Sequence, residues 1–225
     1  VLKDTGIQLE DIHDIFITHE HIDHLLGVIW LIRMIGQKKI GQGKYEGNLR
    51  IYCHEELARS IRMIAELTIQ KKVTKYFDDR ILFVPVHHGE TKEILGCPVT
   101  FFDIFSTKAK QFGFTLRLMN GKKFTFVGDE PYQEHEKEYA EDADWLLHEA
   151  FCLYRDRDIY KPYEKHHTTV KKACEHAEEL GAKNLILYHT EDRNLADRRR
   201  LYTEEGRQYY HGNLIVPDDL DRIEL

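Results

Sequence analysis

The sequence predicts an α/β sandwich rather than a single parallel nucleotide-binding sheet. Three observations carry that expectation. Strand-like and helix-like segments are mixed along the chain, and the stretch from Ile81 to Phe126 is almost wholly β in pattern. No glycine-rich phosphate loop of either common type occurs.

Taken in order, "VLKDTGIQLEDIHD" reads as the tail of a helix stopped at Gly6, a residue that enters the left-handed conformation without steric cost. Ile15 to Thr18 reads as a short buried strand, and Leu25 to Ile35 as an apolar helix ending near Gly36. Leu49 to Cys53 is a strand. From His54 to about Lys72 apolar residues recur at helical spacing, with Leu57, Ile61, Ile64 and Leu67 on one face. "ILFVPV", "KEIL", "PVTFFDIF" and "FGFTLRL" are strands, and Phe101, Phe102, Phe112 and Phe114 in them are expected to be core. Asn120-Gly121, between "FTLRLM" and "KKFTFVGD", is a two-residue hairpin signal. The strand "DWLLHEA" follows, then a helix from Thr169 to Leu180 stopped by Gly181, and the strand "NLILYH". A charged helix around Leu195 to Tyr210 and a closing strand "RIEL" end the chain. No repeat, low-complexity tract or Pro/Gly-rich linker marks a boundary, so residues 1–225 are expected to form one domain.

With 225 residues, 42% of them hydrophobic, the chain can bury a sizeable core. A formal charge of -7 removes any general basic footprint, so contact with nucleic acid would need a local patch. The longest apolar runs fall well short of the roughly 20 residues that span a bilayer. Cys53, Cys97, Cys152 and Cys174 stand singly, as reduced and mostly buried thiols do, which places the expected location in the cytoplasm. The chain opens on Val1 rather than Met, which leaves room for a preceding segment.

The chemistry concentrates in "IFITHEHIDH", residues 15–24. His19 and His21 lie two apart, so in an extended segment their imidazoles point to one side. Asp23 and His24 follow at the turn into the helix, where the chain can bring two more donors toward a neighbouring point. The set can serve two adjacent metals, His19 and His21 on one and Asp23 and His24 on the other. Zinc accepts these ligands readily, and manganese or iron would tolerate them. Glu20 is expected to face solvent. Two later strand ends extend the set. "FTFVGDEP" presents Asp129, which could bridge the ions, and "NLILYHT" presents His189, which could complete the second site. His13, His54, His135, His176 and His211 have no partner at ligand spacing and read as structural.

His19, His21, Asp23 and His24, then Asp129 and His189, together resemble the metallo-β-lactamase superfamily, over about Ile7 to Leu225. Within it, "LLHEAF" followed by "KHHTTVKKACEHAEELGAKNLILYHT" is similar to the ribonuclease Z-like phosphodiesterase branch. The resemblance implies an αββα sandwich, here without its leading N-terminal strands, and two divalent metal ions. It implies a metal-dependent hydrolase, a phosphodiesterase whose nucleophile is a hydroxide held at the ions. Asp23 would orient that hydroxide, His167 would give a hydrogen bond or proton to the leaving oxygen, and Glu149 would either orient His167 or be simply a polar strand end.

Three departures stand against the family pattern. Phe105 occupies the place of an expected histidine ligand, and phenyl cannot bind a metal; His87 and His88 are the nearest substitutes. Phe105 to Asp129 leaves no room for the long insertion that grips tRNA, and with the acidic charge this disfavours RNA as partner. The missing leading strands imply either truncation or a second chain over the open face, so a homodimer is admitted. The substrate is expected to be a phosphodiester or another small hydrolysable compound, with no membrane partner. Lys108 and Lys110 in "STKAKQ" read as a solvated loop. Two other readings remain open: a thioester or lactam hydrolase on the same scaffold, and a degenerate non-catalytic module prompted by Phe105.

Overall fold

The computed structural model describes residues 2–225 and resolves into two compact units. One takes the chain up to His88 together with Phe105–Phe112; the other takes Gly89–Ile104 and Gly113–Leu225.

The first unit runs α1 (Leu2–Thr5), β1 (Asp14–Phe16), α2 (Ile22–Lys38), β2 (Leu49–Cys53), α3 (Glu55–Thr68), α4 (Lys71–Thr74) and β3 (Ile81–Pro85). Its three strands form a parallel sheet in the order β1-β2-β3, with Ile15 opposite Ile51 and Ile51 opposite Phe83. Parallel neighbours need long crossovers, which α2 and the α3–α4 pair supply. Val28, Ile32 and Ile35 of α2 and Leu57, Ile61 and Ala65 of α3 form one buried cluster with Leu49 and Ile51.

Several expectations are corrected here. Strand β1 ends at Phe16, although the Ile17 N–H still donates to the Tyr52 carbonyl at 2.9 Å; Thr18 lies beyond the pairing. Helix α2 starts at Ile22 rather than Leu25 and runs through Gly36 to Lys38. Gly36 is a contact, not a stop: a Cβ there would meet Val73 Cγ1 of α4 at 2.4 Å. Leu67 does not share the buried face and is 80% exposed. Six positions at about 100° each carry it roughly 120° away from the direction of the fully buried Ile61, whereas Ala65, about 40° from Ile61, is buried in its stead.

These glycines yield a paired prediction. Gly27 lies in the same helix as Gly36 but is exposed, and a Cβ there would meet nothing within 4 Å. Gly27→Ala should therefore stabilise by up to about 1 kcal/mol through helix propensity. Gly36→Ala carries the same propensity gain but drives a methyl into buried Val73, and overpacking of about 1–3 kcal/mol should win. Urea midpoints moving in opposite directions are the expected result; two shifts of the same sign would contradict it.

The second unit runs β4 (Thr91–Ile94), β5 (Cys97–Asp103), β6 (Phe112–Arg117), β7 (Lys123–Phe126), α5 (Lys137–Ala140), β8 (Trp145–Glu149), α6 (Arg157–Tyr160), α7 (Val170–Glu179), β9 (Asn184–Tyr188), α8 (Arg198–Gly206) and β10 (Asn213–Ile215). Its sheet order is β10-β9-β8-β7-β6-β5-β4, parallel from β7 to β10 and antiparallel at β6–β7 and β4–β5. Leu146, Leu185 and Leu187 pack with Val170, Ala173 and Ala177 of α7 and Tyr202 of α8. Phe101, Phe102 and Phe112 are buried and Phe114 half-buried.

The β6–β7 loop holds three residues rather than two. The Leu118 N–H donates to the Lys122 carbonyl at 2.9 Å and the Gly121 N–H to the Leu118 carbonyl at 2.8 Å, with Gly121 at φ 82. That is a turn closed by a left-handed glycine, the usual solution for three-residue hairpins. Helix α8 is shorter than expected, and "RIEL" forms no strand. The last strand is instead Asn213–Ile215, set beside β9 with Asn213 opposite Asn184. All four cysteines are free, and Cys53, Cys152 and Cys174 are buried; burial pushes these three thiols up to about 12. No helix of the described residues is long and apolar enough to cross a membrane.

Candidate metal centre

In the first unit the donors gather where β1 gives way to α2. His21 is the N-cap of α2 at φ -61 and ψ 150, so the chain is still extended there and turns helical at Ile22. This brings Asp23 and His24 into the first turn, beside the imidazoles that precede it. His19 is fully buried, and its Nε2 lies 2.8 Å from His21 Nδ1. Its ring centroid is 4.4 Å from that of His21 and 4.2 Å from that of His24. His24 Nε2 lies 3.4 Å from an Asp23 carboxylate oxygen. The Thr18 hydroxyl sits 2.9 Å from His19 Nδ1 and 3.5 Å from His24 Nδ1, so it fixes which nitrogen of His19 faces His21. Glu20 is exposed, as expected.

In the second unit the donors gather at the C-terminal ends of parallel strands. Asp129 follows β7 and is 3% exposed; His189 follows β9 at φ 54, a left-handed conformation that costs a non-glycine residue strain. His189 Nδ1 lies 3.1 Å from Asp129 Oδ1. His167 packs its ring 4.9 Å from that of His189 and stacks on Phe151 at 5.1 Å. Asp129, His167 and His189 each bring one ligand atom within 4.8 Å of the others.

The loop carrying His167 is held from below by Glu149, a fully buried carboxyl at the end of β8. Its Oε1 accepts the Thr168 N–H at 2.5 Å, while its Oε2 lies 3.9 Å from His167 Nδ1. Burial pushes the Glu149 carboxyl well above the usual range; the Thr168 N–H opposes this and the nearby Asp129 charge adds to it. Further along, Glu191 accepts the Tyr160 hydroxyl at 2.9 Å, which ties the segment before His167 to the loop after His189.

The donor chemistry fits divalent cations. Imidazole and carboxylate donors lie about 2.0–2.2 Å from zinc, so two on one tetrahedral ion are about 3.3–3.6 Å apart. The His189–Asp129 spacing of 3.1 Å lies just short of that range and the His19–His21 spacing of 2.8 Å about half an ångström short, so both pairs stand close to ligand separation.

Sequence reasoning missed several members of this arrangement. It read His176 as a histidine without a partner, but His148 Nε2 lies 3.1 Å from His176 Nδ1 inside the core. The alternation of β8 held a signal: Leu146 and His148 share one face, and Leu146 is core. Thr18, Phe151 and Glu191 carried none. At Phe105 the structure shows a ring 58% exposed at φ 54, its centroid 5.4 Å from that of His88.

Residues 2–190 match the β-lactamase superfamily domain, and the chain belongs to that family. Its fold is the metallo-β-lactamase fold. A metallo-β-lactamase fold protein, YhfI from Bacillus subtilis, superposes with a TM-score of 0.74 at 20% identity, over 96% of this chain and 80% of that one. Human tRNase Z, short form, gives 0.72 at 21% identity, over 99% and 83%. In sequence, a ribonuclease Z of Bacillus cereus (strain B4264) is 27% identical over 95% of this chain and 82% of its own. Further ribonuclease Z matches at 35% identity cover 44 to 47% of the chain and only 31 to 33% of those relatives' length.

Proposed function

We propose that this chain is a metal-dependent phosphodiesterase of ribonuclease Z-like type, in which His19, His21, Asp23, His24, Asp129 and His189 hold two divalent ions, zinc foremost. The observation that carries this reading is the Glu149–Thr168–His167 arrangement beside Asp129 and His189, which offers a proton donor on a pinned loop next to metal-ligand chemistry. The whole-length similarity to a ribonuclease Z supports the choice of phosphodiesters over lactams or thioesters.

Divalent ions in such a set supply Lewis acidity and lower the pKa of water toward neutrality. The chain's own residues supply the rest. Asp23, exposed in the first turn of α2, orients the attacking oxygen. His167 gives its proton to the leaving oxygen, and its stacking on Phe151 fixes the ring plane for that transfer. Glu149 acts through the loop: its bond to the Thr168 N–H holds the residue next to His167.

Elemental analysis of protein purified without chelator, with bis-p-nitrophenyl phosphate hydrolysis in added zinc or manganese, tests the reading. Two ions per chain and chelator-sensitive hydrolysis are expected. The competing reading, a one-ion or metal-free module, is favoured by Phe105 at an expected ligand position. It predicts at most one ion and no hydrolysis, and that result would overturn the enzyme reading.

A further inference from the structure

We infer that Arg198 is a positioning residue for the candidate metal centre: its guanidinium clamps the loop after β9 and so fixes the strained backbone that presents His189. The inference deepens the proposed reading and rests on it for the role of His189 as a ligand.

His189 stands at φ 54, a conformation that a residue with a side chain keeps only where its surroundings impose it. The loop that follows is held on two sides. On one, the Glu191 N–H donates to the Phe151 carbonyl at 2.8 Å, and the Glu191 carboxylate accepts from the Tyr160 hydroxyl at 2.9 Å. On the other, the Thr190 hydroxyl accepts from Arg198 Nη1 at 2.8 Å. Thr190 is the next residue after His189, so this contact acts directly on the backbone that aims the imidazole.

Arg198 opens α8 and is 7% exposed. Its Nη2 donates to the Pro217 carbonyl and to Asp218 Oδ1, each at 3.2 Å. The guanidinium therefore bridges the loop after β9 to the segment after β10. That far anchor is itself secured. Asp218 Oδ2 accepts from Arg199 Nη2 at 2.7 Å, and the Asp218 N–H donates to Asp221 at 3.1 Å. A planar fork with donors in fixed directions holds position better than a flexible ammonium does.

Stability does not explain a cation in this place. Burying a guanidinium costs free energy that only well-made pairing recovers. The Asp218 carboxylate is about half exposed and shared with Arg199. The Arg198 Nε–H is buried and meets no acceptor among the described residues, a further cost. An unbranched apolar side chain would fill much of the same volume without either cost. It would strand no charge, since Asp218 keeps Arg199. What it would lose is the bond to Thr190.

Arg198→Met and Thr190→Val are compared with the wild-type chain, with zinc affinity measured by competition against a chromophoric chelator. Each variant should bind zinc about tenfold to a hundredfold more weakly, the usual effect of losing a group that orients a ligand. The double variant should lose no more than the larger single loss, because both changes remove one bond. The urea midpoint of Arg198→Met should equal or exceed that of the wild type. Thr190→Val carries the decision, since it leaves Pro217 and Asp218 with their guanidinium. Wild-type zinc affinity in Thr190→Val would overturn the inference, as would additive losses in the double variant; Arg198 would then only tether the segment after β10. His189→Ala separates this inference from the reading beneath it. If that variant loses an ion while Thr190→Val does not, the clamp fails and the ligand reading stands. If it keeps wild-type zinc affinity, His189 is no ligand, and amide exchange in the metal-free chain decides the clamp by itself. Protection of the Glu191 N–H should fall several-fold in Arg198→Met and Thr190→Val, and unchanged protection would overturn the clamp.

Discussion

Asp129→Asn is expected to lower hydrolysis of a phosphodiester by at least about a thousandfold, equivalent to about 4 kcal/mol of transition-state stabilisation. The substitution is nearly isosteric, and the amide can still meet His189 Nδ1, which lies 3.1 Å from the native carboxylate. The change therefore removes an anion while keeping shape and packing. Under the proposed reading Asp129 would help hold the ions, and its negative charge would offset theirs. Its near-complete burial, at 3% exposure, leaves water little room to replace it. Bound metal should fall by one ion per chain or more, with far-UV circular dichroism unchanged. A variant that keeps its full metal content and stays within tenfold of the wild-type rate would show that Asp129 is not a ligand.

The site was legible where its chemistry is local in sequence. His19, His21, Asp23 and His24 fall within six residues, so spacing alone grouped them as candidates, and the strand-then-helix pattern told where. Asp129 and His189 stood out as candidates because each lies at or just past the end of a strand-like run, Asp129 three residues after Phe126 and His189 next to Tyr188. What could not be read depends on contacts between distant positions. His148 and His176 are 28 residues apart, and each alone resembles an ordinary buried or helical histidine. Gly36 looked like a helix stop because a glycine near the end of an apolar run usually is one; only the approach of Val73 gives it another purpose. "RIEL" has the composition of a strand, yet Asn213–Ile215 takes the place beside β9.

Phe105 shows the limit from the other side. The sequence identified it as a departure, and the structure gives the departure a shape: an exposed phenyl on a residue held at φ 54. A bulky side chain in that conformation costs on the order of 1–2 kcal/mol. Burial does not recover that cost, since the ring is more than half exposed. His189, a proposed ligand, holds the same φ of 54. The backbone at 105 thus keeps a strained geometry around a ring that meets His88 at 5.4 Å and cannot ligate a metal, and metal content is the measurement that separates the enzyme from the degenerate reading.

Acid should unfold this protein earlier than its carboxylates alone require, because of the His148–His176 pair. His148 Nδ1–H donates to the Glu149 carbonyl at 2.7 Å, so its Nε2 accepts from His176 Nδ1–H at 3.1 Å. Every bond in that chain is satisfied with both rings neutral. His148 is fully buried and His176 8% exposed, against the Tyr132 ring at 5.1 Å. Burial pushes His148 down to about 4. Burial, then the charge of His148 and of Lys172, pushes His176 down to about 3. Both values lie below that of an unfolded histidine, so the unfolded chain binds protons first. The contribution to stability is complete above pH 6.5 and declines as pH falls from there toward 4, by about 1.4 kcal/mol per unit for each histidine. At pH 5 that is about 2 kcal/mol per ring, a large share of a typical 5–15 kcal/mol. Urea unfolding at pH 7.5 and pH 5 measures it, using the difference between the two pH values so that any general loss in a variant cancels. His148→Gln/His176→Gln removes both titrating groups, and its acid-induced loss should be smaller than that of the wild type by about 2–4 kcal/mol. Equal losses in the two proteins would show that the pair titrates in the folded chain as it does in the unfolded one.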